Sequence, residues 1–282
     1  MNLDVFLETA LSSSAFGAIA FYLSLMTVII VAEVLVPLHA RGRWNYAHLI
    51  PNFVLTATYI ATNLFFTAAI VLMLIWVGEI GFGLFNTLQL DPLVEIALAV
   101  LILDFQTYAV HVAMHESSGM WRFHRVHHSD PAVDVTTALR QHPGESVIRF
   151  ASLIVFAVAI GASPVAFAIY RLLSGLQAQF EHANIRVPRR LDSWLSLLVT
   201  TPNYHKVHHS RDHAETDSNY GNIFSIWDRL FFTSTPSHHG LDVDYGLEGF
   251  DDRRTQSTWG LLALPFRPEP VERDAAETRS AT

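Results

Sequence analysis

Three apolar runs, each about as long as a bilayer's hydrocarbon core is thick, limit what this chain can fold into. They are Ala15–Leu38, interrupted by Glu33, the uncharged Phe53–Val77, and Leu93–Met114, which carries Glu95, Asp104 and His111. A segment crossing lipid must satisfy its own backbone, so each run is predicted to be a helix. The region Val147–Gln179 reads differently. Two shorter apolar stretches, Val147–Ile160 and Val165–Leu176, flank Gly161-Ala-Ser-Pro164. Each is too short to span comfortably, which favours a tight hairpin or re-entrant pair over one long kinked helix.

Composition agrees with a membrane protein. Only 16% of residues are charged and 51% are hydrophobic, against about a quarter charged in ordinary soluble domains. A net charge of −8 argues against a nucleic-acid partner, and the lack of cysteine excludes disulfides, thiolate zinc sites and iron–sulfur clusters. The acidic N-terminus, with Asp4 and Glu8, does not read as a secretory signal.

Arg41 and Arg43 lie between the first two runs, whereas the connection 78–92 has no basic residue. Basic loops stay cytoplasmic, so the third run delivers His111, His115 and the residues beyond them to the cytoplasmic face. The hairpin leaves near Arg149 and returns by Arg171 on that same side. Residues 1–14 form an N-terminal segment, 15–250 the membrane domain, and the polar stretch 251–282 reads as a flexible tail.

Histidine is the anomaly. Ten of the 15 lie between His111 and His209. His111 and His115 stand at i and i+4, on one face of the third helix's end. His124-x-x-His127-His128 and His205-x-x-His208-His209 come next, and i, i+3, i+4 spacing converges three imidazoles on one side. His142, in Arg140-Gln-His-Pro-Gly-Glu145, and His182, in Phe180-Glu-His-Ala-Asn184, flank the hairpin. So many nitrogen donors exceed what one ion can use and imply two metals of the iron, copper or zinc kind. Asp104 and Tyr108 share the stripe of His111, where a carboxylate could orient a ligand histidine. His39, His48, His213, His238 and His239 read as interfacial or solvated. His115-Glu116 does not complete a zinc-protease H-E-x-x-H, because Gly119 takes the fifth position.

The pattern Asp104-x3-Tyr108-x2-His111-x3-His115, the two H-x-x-H-H motifs, Asn219-Tyr-Gly221 and Ile226-Trp-Asp-Arg-Leu230 resemble the fatty acid hydroxylase / sterol desaturase superfamily. The resemblance covers about residues 31–233; one departure, Val112 where members often carry arginine, does not touch a ligand position. It implies an all-α polytopic membrane protein with about three spanning helices plus a helical hairpin, and a histidine-rich helical cap on the cytoplasmic face of a bacterial inner membrane. It further implies two non-haem iron ions, for which zinc can substitute in purified protein, held by His111, His115, His124, His127, His128, His142, His182, His205, His208 and His209. Asp104, Tyr108 and Glu145 are its candidate catalytic residues, and Phe65, Phe66, Phe105, Phe150 and Phe156 the walls it implies for a lipid tail. The implied reaction consumes O2 and hydroxylates a lipid, or alternatively desaturates it, with electrons from a separate reductase, ferredoxin or cytochrome, since no dinucleotide or haem motif occurs. A histidine-rich metal-transport protein would need its ligands spread through the bilayer's depth, and a haem protein would need only two to four of them.

Overall fold

A computed structural model describes residues 15–39 and 47–268. Arg41 and Arg43, on which the orientation reading rests, lie outside the described residues, as do the N-terminal segment 1–14 and the tail from 269. The described residues are mostly helical and contain no strands, only the isolated bridges Pro37–Ile185 and Ser210–Tyr245. The principal helices are α1 (Ala15–Leu35), α2 (Leu49–Glu79), α3 (Pro92–Glu116), α4 (Ser118–His128), α5 (Pro143–Ile160), α6 (Pro164–His182) and α7 (Pro202–His208).

Four of these helices start on one device. Asp91, His142, Ser163 and Thr201 each cap the helix with a side-chain acceptor, and proline follows at the first helical position. That position has no use for an N–H, and the ring presets φ. Ser117 ends α3 and caps α4, so the two helices meet without an intervening loop.

The hairpin forms as expected, but its arms are longer than their apolar stretches. Polar residues extend α5 back to Pro143 and α6 on to His182, giving 18 and 19 residues. At 1.5 Å per residue that is about 27–28 Å, close to the hydrocarbon thickness. Among the described residues, the helices long and apolar enough to cross a membrane fall in 49–88, 92–116 and 143–160. The first arm of the hairpin therefore joins the crossing helices, while the described apolar run of α1, Ile19–Leu35, is shorter.

The hairpin turn docks at the far end of the bundle from the histidines. Gly161 has φ 66°, and a Cβ on Gly83 would come 2.5 Å from the Gly161 backbone, so the two chains approach as only glycine allows. The Ser163 N–H donates to Glu95 at 2.7 Å. Between these ends Leu74, Leu103, Phe150, Phe167 and Tyr170 form the apolar core of α2, α3, α5 and α6.

Two readings need correction. The segment 251–268 is not a loose tail: Leu261 and Leu264 are fully buried against Leu55 and Val126, and Arg125 donates to the Leu264 and Arg267 carbonyls. Its polarity hid a short helix, Thr258–Ala263, whose apolar face is only a few residues long. His48 is likewise not solvated. It is buried with its Nδ1 3.1 Å from Asp130, a carboxylate that also accepts from Asn52 and Thr137. Arg140 completes this network, donating to Val126 O, Asn52, Ser129 and Gln256 at 2.8–2.9 Å. Burial works against the Asp130 carboxylate, but His48 and Arg140 outweigh it and hold its pKa well below the usual range.

Removing one partner of a buried charged network strands the other. Arg140→Met is expected to lower unfolding free energy in detergent by about 3–5 kcal/mol. A denaturation midpoint that barely moves would show that the network does not carry stability.

Candidate metal centre

Nine of the ten expected histidines come together, in two groups. His111, His115, His124, His128 and His208 form one; His127, His182, His205 and His209 form the other. Within each group the facing nitrogens lie within 4.8 Å of one another. Helix geometry does the sorting. In α4, His124 and His128 point to the first group and His127 to the second; around α7, His208 joins the first while His205 and His209 join the second. Each H-x-x-H-H motif thus feeds both groups.

The spacing between nitrogens is that of ligands around an ion. His124 Nε2 lies 3.0 Å from His111 Nε2 and 3.2 Å from His128 Nε2. His182 Nε2 lies 3.0, 3.1 and 3.2 Å from the Nε2 atoms of His127, His205 and His209. Donors about 2.1 Å from a shared ion, at right-angled to tetrahedral angles, sit about 3.0–3.4 Å apart.

Hydrogen bonds behind the rings decide the tautomers. His111 Nδ1 lies 2.8 Å from the Tyr220 carbonyl, His208 Nδ1 2.8 Å from the Ser218 carbonyl, and His182 Nδ1 2.7 Å from the Ala178 carbonyl. His124 Nδ1 meets Glu145 at 2.9 Å and His115 Nδ1 meets Asp217 at 3.0 Å. A carbonyl or carboxylate oxygen only accepts, so Nδ1 carries the proton in all five rings and Nε2 presents a lone pair. His111 and His124 therefore face each other lone pair to lone pair at 3.0 Å, an arrangement that a shared cation relieves. The donor set fits a metal of the nitrogen-preferring kind. Burial first, and neighbouring imidazoles second, hold His124, His127, His128, His205, His208 and His209 well below the ordinary histidine pKa, so these rings are neutral and able to ligate at neutral pH.

His142 is not brought into either group. Its Nδ1 accepts from the Gly144 N–H at 2.9 Å and its Nε2 lies 3.2 Å from the Leu262 carbonyl, so it caps α5 and ties down the C-terminal segment. Asp104, expected from its spacing to orient a histidine, instead accepts the Ile223 and Phe224 N–H groups and the Trp227 indole at 2.9–3.1 Å. It holds the loop that carries Tyr220. Tyr108 bonds Thr233 at 2.9 Å and packs on Phe231. The orienting carboxylates are Asp217 and Glu145, and Glu145 also accepts from Arg149 Nε at 2.8 Å.

Several contributors carried no signal at helical spacing. Asp217 and the carbonyls of Ser218 and Tyr220 come from a non-helical loop. Asn219 turns that loop at φ 56°, in the left-handed region that asparagine tolerates, and Asp228 accepts the Tyr220 and Gly221 N–H groups. The Asn-Tyr-Gly motif was the one pointer to it. Lys206 is fully buried in α7, donating to the Val133 and His182 carbonyls, and burial pushes its pKa down to about 8.

A cavity of about 90 Å³ opens beside the centre, with His111 of the first group and His127, His182 and His205 of the second on its wall. Of the five candidate wall phenylalanines only Phe150 lines it; Phe66 stacks behind Phe150 at 5.1 Å, and Phe65 faces outward. Phe105 stacks on Trp227 and Phe231, and Phe156 packs against the apolar core. The remaining wall is mixed: Val110, Leu139 and Leu153 share it with Arg149, Arg171, Tyr22, Tyr59 and Glu181.

Comparison with known proteins gives one family. Residues 96–233 match the family model described as fatty acid hydroxylase. Alkylglycerol monooxygenase of Caenorhabditis elegans is 34% identical over 58% of this chain and 30% of its own length. The human alkylglycerol monooxygenase is 32% identical over 66% of this chain and 40% of its own. Ornithine lipid hydroxylase OlsE of Rhizobium tropici is 28% identical over 61% of this chain and 50% of its own. The chain thus spans half or less of the length of these relatives. No solved structure matches.

Loss of the orienting carboxylate should loosen one group selectively. Glu145→Gln is expected to weaken metal binding at the five-histidine group by about 10- to 100-fold while the four-histidine group keeps its affinity. Chelator-competition titration with elemental analysis reads both. Equal loss at the two groups would contradict the assignment.

Proposed function

Because the chain belongs to the fatty acid hydroxylase superfamily, we propose that it is an O2-dependent non-haem di-iron membrane oxidoreductase that hydroxylates an unactivated C–H bond of a lipid. The observation that carries this reading is the pair of convergent histidine groups opening onto one cavity among membrane-crossing helices. The relatives named as alkylglycerol monooxygenase and ornithine lipid hydroxylase favour an amphiphilic lipid as substrate.

Nine imidazoles without thiolate suit iron, and zinc is the expected substitute in purified protein because it stands above iron in intrinsic affinity. Bound there, the iron pair supplies the O2 and redox chemistry that side chains lack. The chain's own part is to bind and orient. Glu145, Asp217, the Ser218 and Tyr220 carbonyls of the loop and the Ala178 carbonyl of α6 keep five Nε2 lone pairs turned inward, and burial keeps the rings from protonating. The α5–α6 walls admit the substrate from the lipid side. Electrons come from a separate reductase, ferredoxin or cytochrome docking on the histidine face.

That face is cytoplasmic in this reading, in a bacterial inner membrane. The hairpin turn packs on the 78–92 connection, which has no basic residue, so the histidines occupy the opposite end.

Lipid mass spectra of aerated cells provide the test. Cells expressing the wild type should contain a lipid heavier by one oxygen that is lost with His127→Ala, while the variant's membrane abundance is unchanged. A species lighter by two hydrogens would make the enzyme a desaturase, and the same oxygenated species in the variant would remove the histidine centre from the reaction.

A further inference from the structure

The wall of the cavity sets strong hydrogen-bond donors among apolar side chains such as Val110, Leu139 and Leu153. Two guanidiniums face it from the two arms of the hairpin. Arg149 lies six residues into α5 and Arg171 seven residues into α6, each about 10 Å from its helix's start. The arms are antiparallel, so the two sit within about 6 Å of the same level. Their contact is direct to the neighbour: the Arg171 guanidinium stacks over the ring of Phe150, the residue after Arg149, at 5.3 Å.

Among the described residues neither guanidinium is saturated by protein. Arg149 donates through Nε to the Glu145 carboxylate and its side chain lines the cavity. Arg171 makes one long bond, 3.4 Å to the Tyr59 hydroxyl. The wall's carboxylate, Glu181, belongs to the other end of α6. It lies ten residues from Arg171, beside His182 and 3.9 Å from His205 Nε2. An arginine this far inside a membrane-crossing helix, as Arg149 is in α5, is costly to keep and marks function. A methylene chain laid against the two guanidiniums would meet none of their donors.

Planar guanidiniums with paired donors match oxyanions such as phosphate or carboxylate.

We propose that the cavity holds the anionic headgroup of the lipid, a phosphate or carboxylate gripped by Arg149 and Arg171, with Tyr59 as a further donor. This inference rests on the lipid-hydroxylase reading and specifies its substrate class. Arg149 is separated from His124 by the Glu145 carboxylate alone, so a headgroup held there presents to the metals a C–H bond close to the headgroup. The tail leaves the cavity between the helices and lies in the bilayer. Arg171 is the specificity-determining residue of the pair, because it does not touch the groups that orient the histidines.

Binding by two amphiphiles with the same tail tests this on the full chain in a neutral maltoside detergent. Hexadecyl phosphate is expected to bind about 10- to 100-fold tighter than hexadecanol. Arg171→Met should erase most of that difference and leave hexadecanol binding as it was; Arg171→Lys should restore part of it. Equal affinity for the two probes in the wild type overturns the proposal, as does an equal loss of both in Arg171→Met. If Arg171→Met loses its monodisperse gel-filtration peak, the wild-type preference and Arg171→Lys decide alone. Inorganic phosphate competing as strongly as hexadecyl phosphate would make the site one for a free anion and also overturn it. Incorporation of 18O from O2 separates this inference from the parent reading. Headgroup preference without any 18O-labelled lipid refutes the hydroxylase and leaves the headgroup site, whereas labelled neutral lipids without headgroup preference refute the headgroup site and leave the hydroxylase.

Discussion

Nitrogen lone pairs aimed at one another in a buried space repel, and much of this molecule serves to keep them that way. His111, His124 and His182 each spend Nδ1 on a protein acceptor, which turns Nε2 toward neighbouring Nε2 atoms 3.0–3.2 Å off. Such an arrangement persists when its far side is held rigidly and a cation meets its near side. The rigid far side is built from remote parts of the chain: Glu145 from α5, Asp217 and the Ser218 and Tyr220 carbonyls from the loop after α7, and the Ala178 carbonyl from α6.

That loop is itself held by the membrane domain. Asp104, in the middle of α3, accepts two backbone N–H groups and the Trp227 indole, and Asp228 accepts two more from Tyr220 and Gly221. A carboxylate within a crossing helix thus acts at one remove from the histidine groups, as an anchor for the segment that orients His111. The second anchorage is the buried Asp130–Arg140–Asn52 network, which ties the end of α4 to α2 and to Gln256 of the C-terminal segment. The centre is fixed from the membrane side and from the chain's end together.

The bilayer imposes the other constraint, and the hairpin shows how it acts. Its apolar stretches are shorter than the hydrocarbon core, but polar residues extend both arms at the histidine end, α5 back to Pro143 and α6 on to His182, while the turn rests on the Gly83–Gly161 contact at the far side. Arg149 and Arg171, within the apolar stretches, line the cavity. A tight apolar pattern and a partly polar wall coexist because a helix has two sides.

Local chemistry made two of the crossing helices, the hairpin and the convergence of nine histidines readable from sequence, because periods of three and four residues and apolar length are properties of short segments. The same locality misassigned whatever depended on distant partners. His142 has the residue type of a ligand, yet its position at a helix start turned it into a cap. His48 has no helical-spacing partner because its partner, Asp130, is far along the chain. Residues 251–268 look polar, yet two leucines, Leu261 and Leu264, find a buried surface on α2 and α4. Sequence alone determined that this chain crosses membranes and gathers imidazoles. Tertiary structure decided how they divide into five and four, which acceptors set their tautomers and where two arginines point, since each of those depends on atoms brought together from opposite ends of the fold.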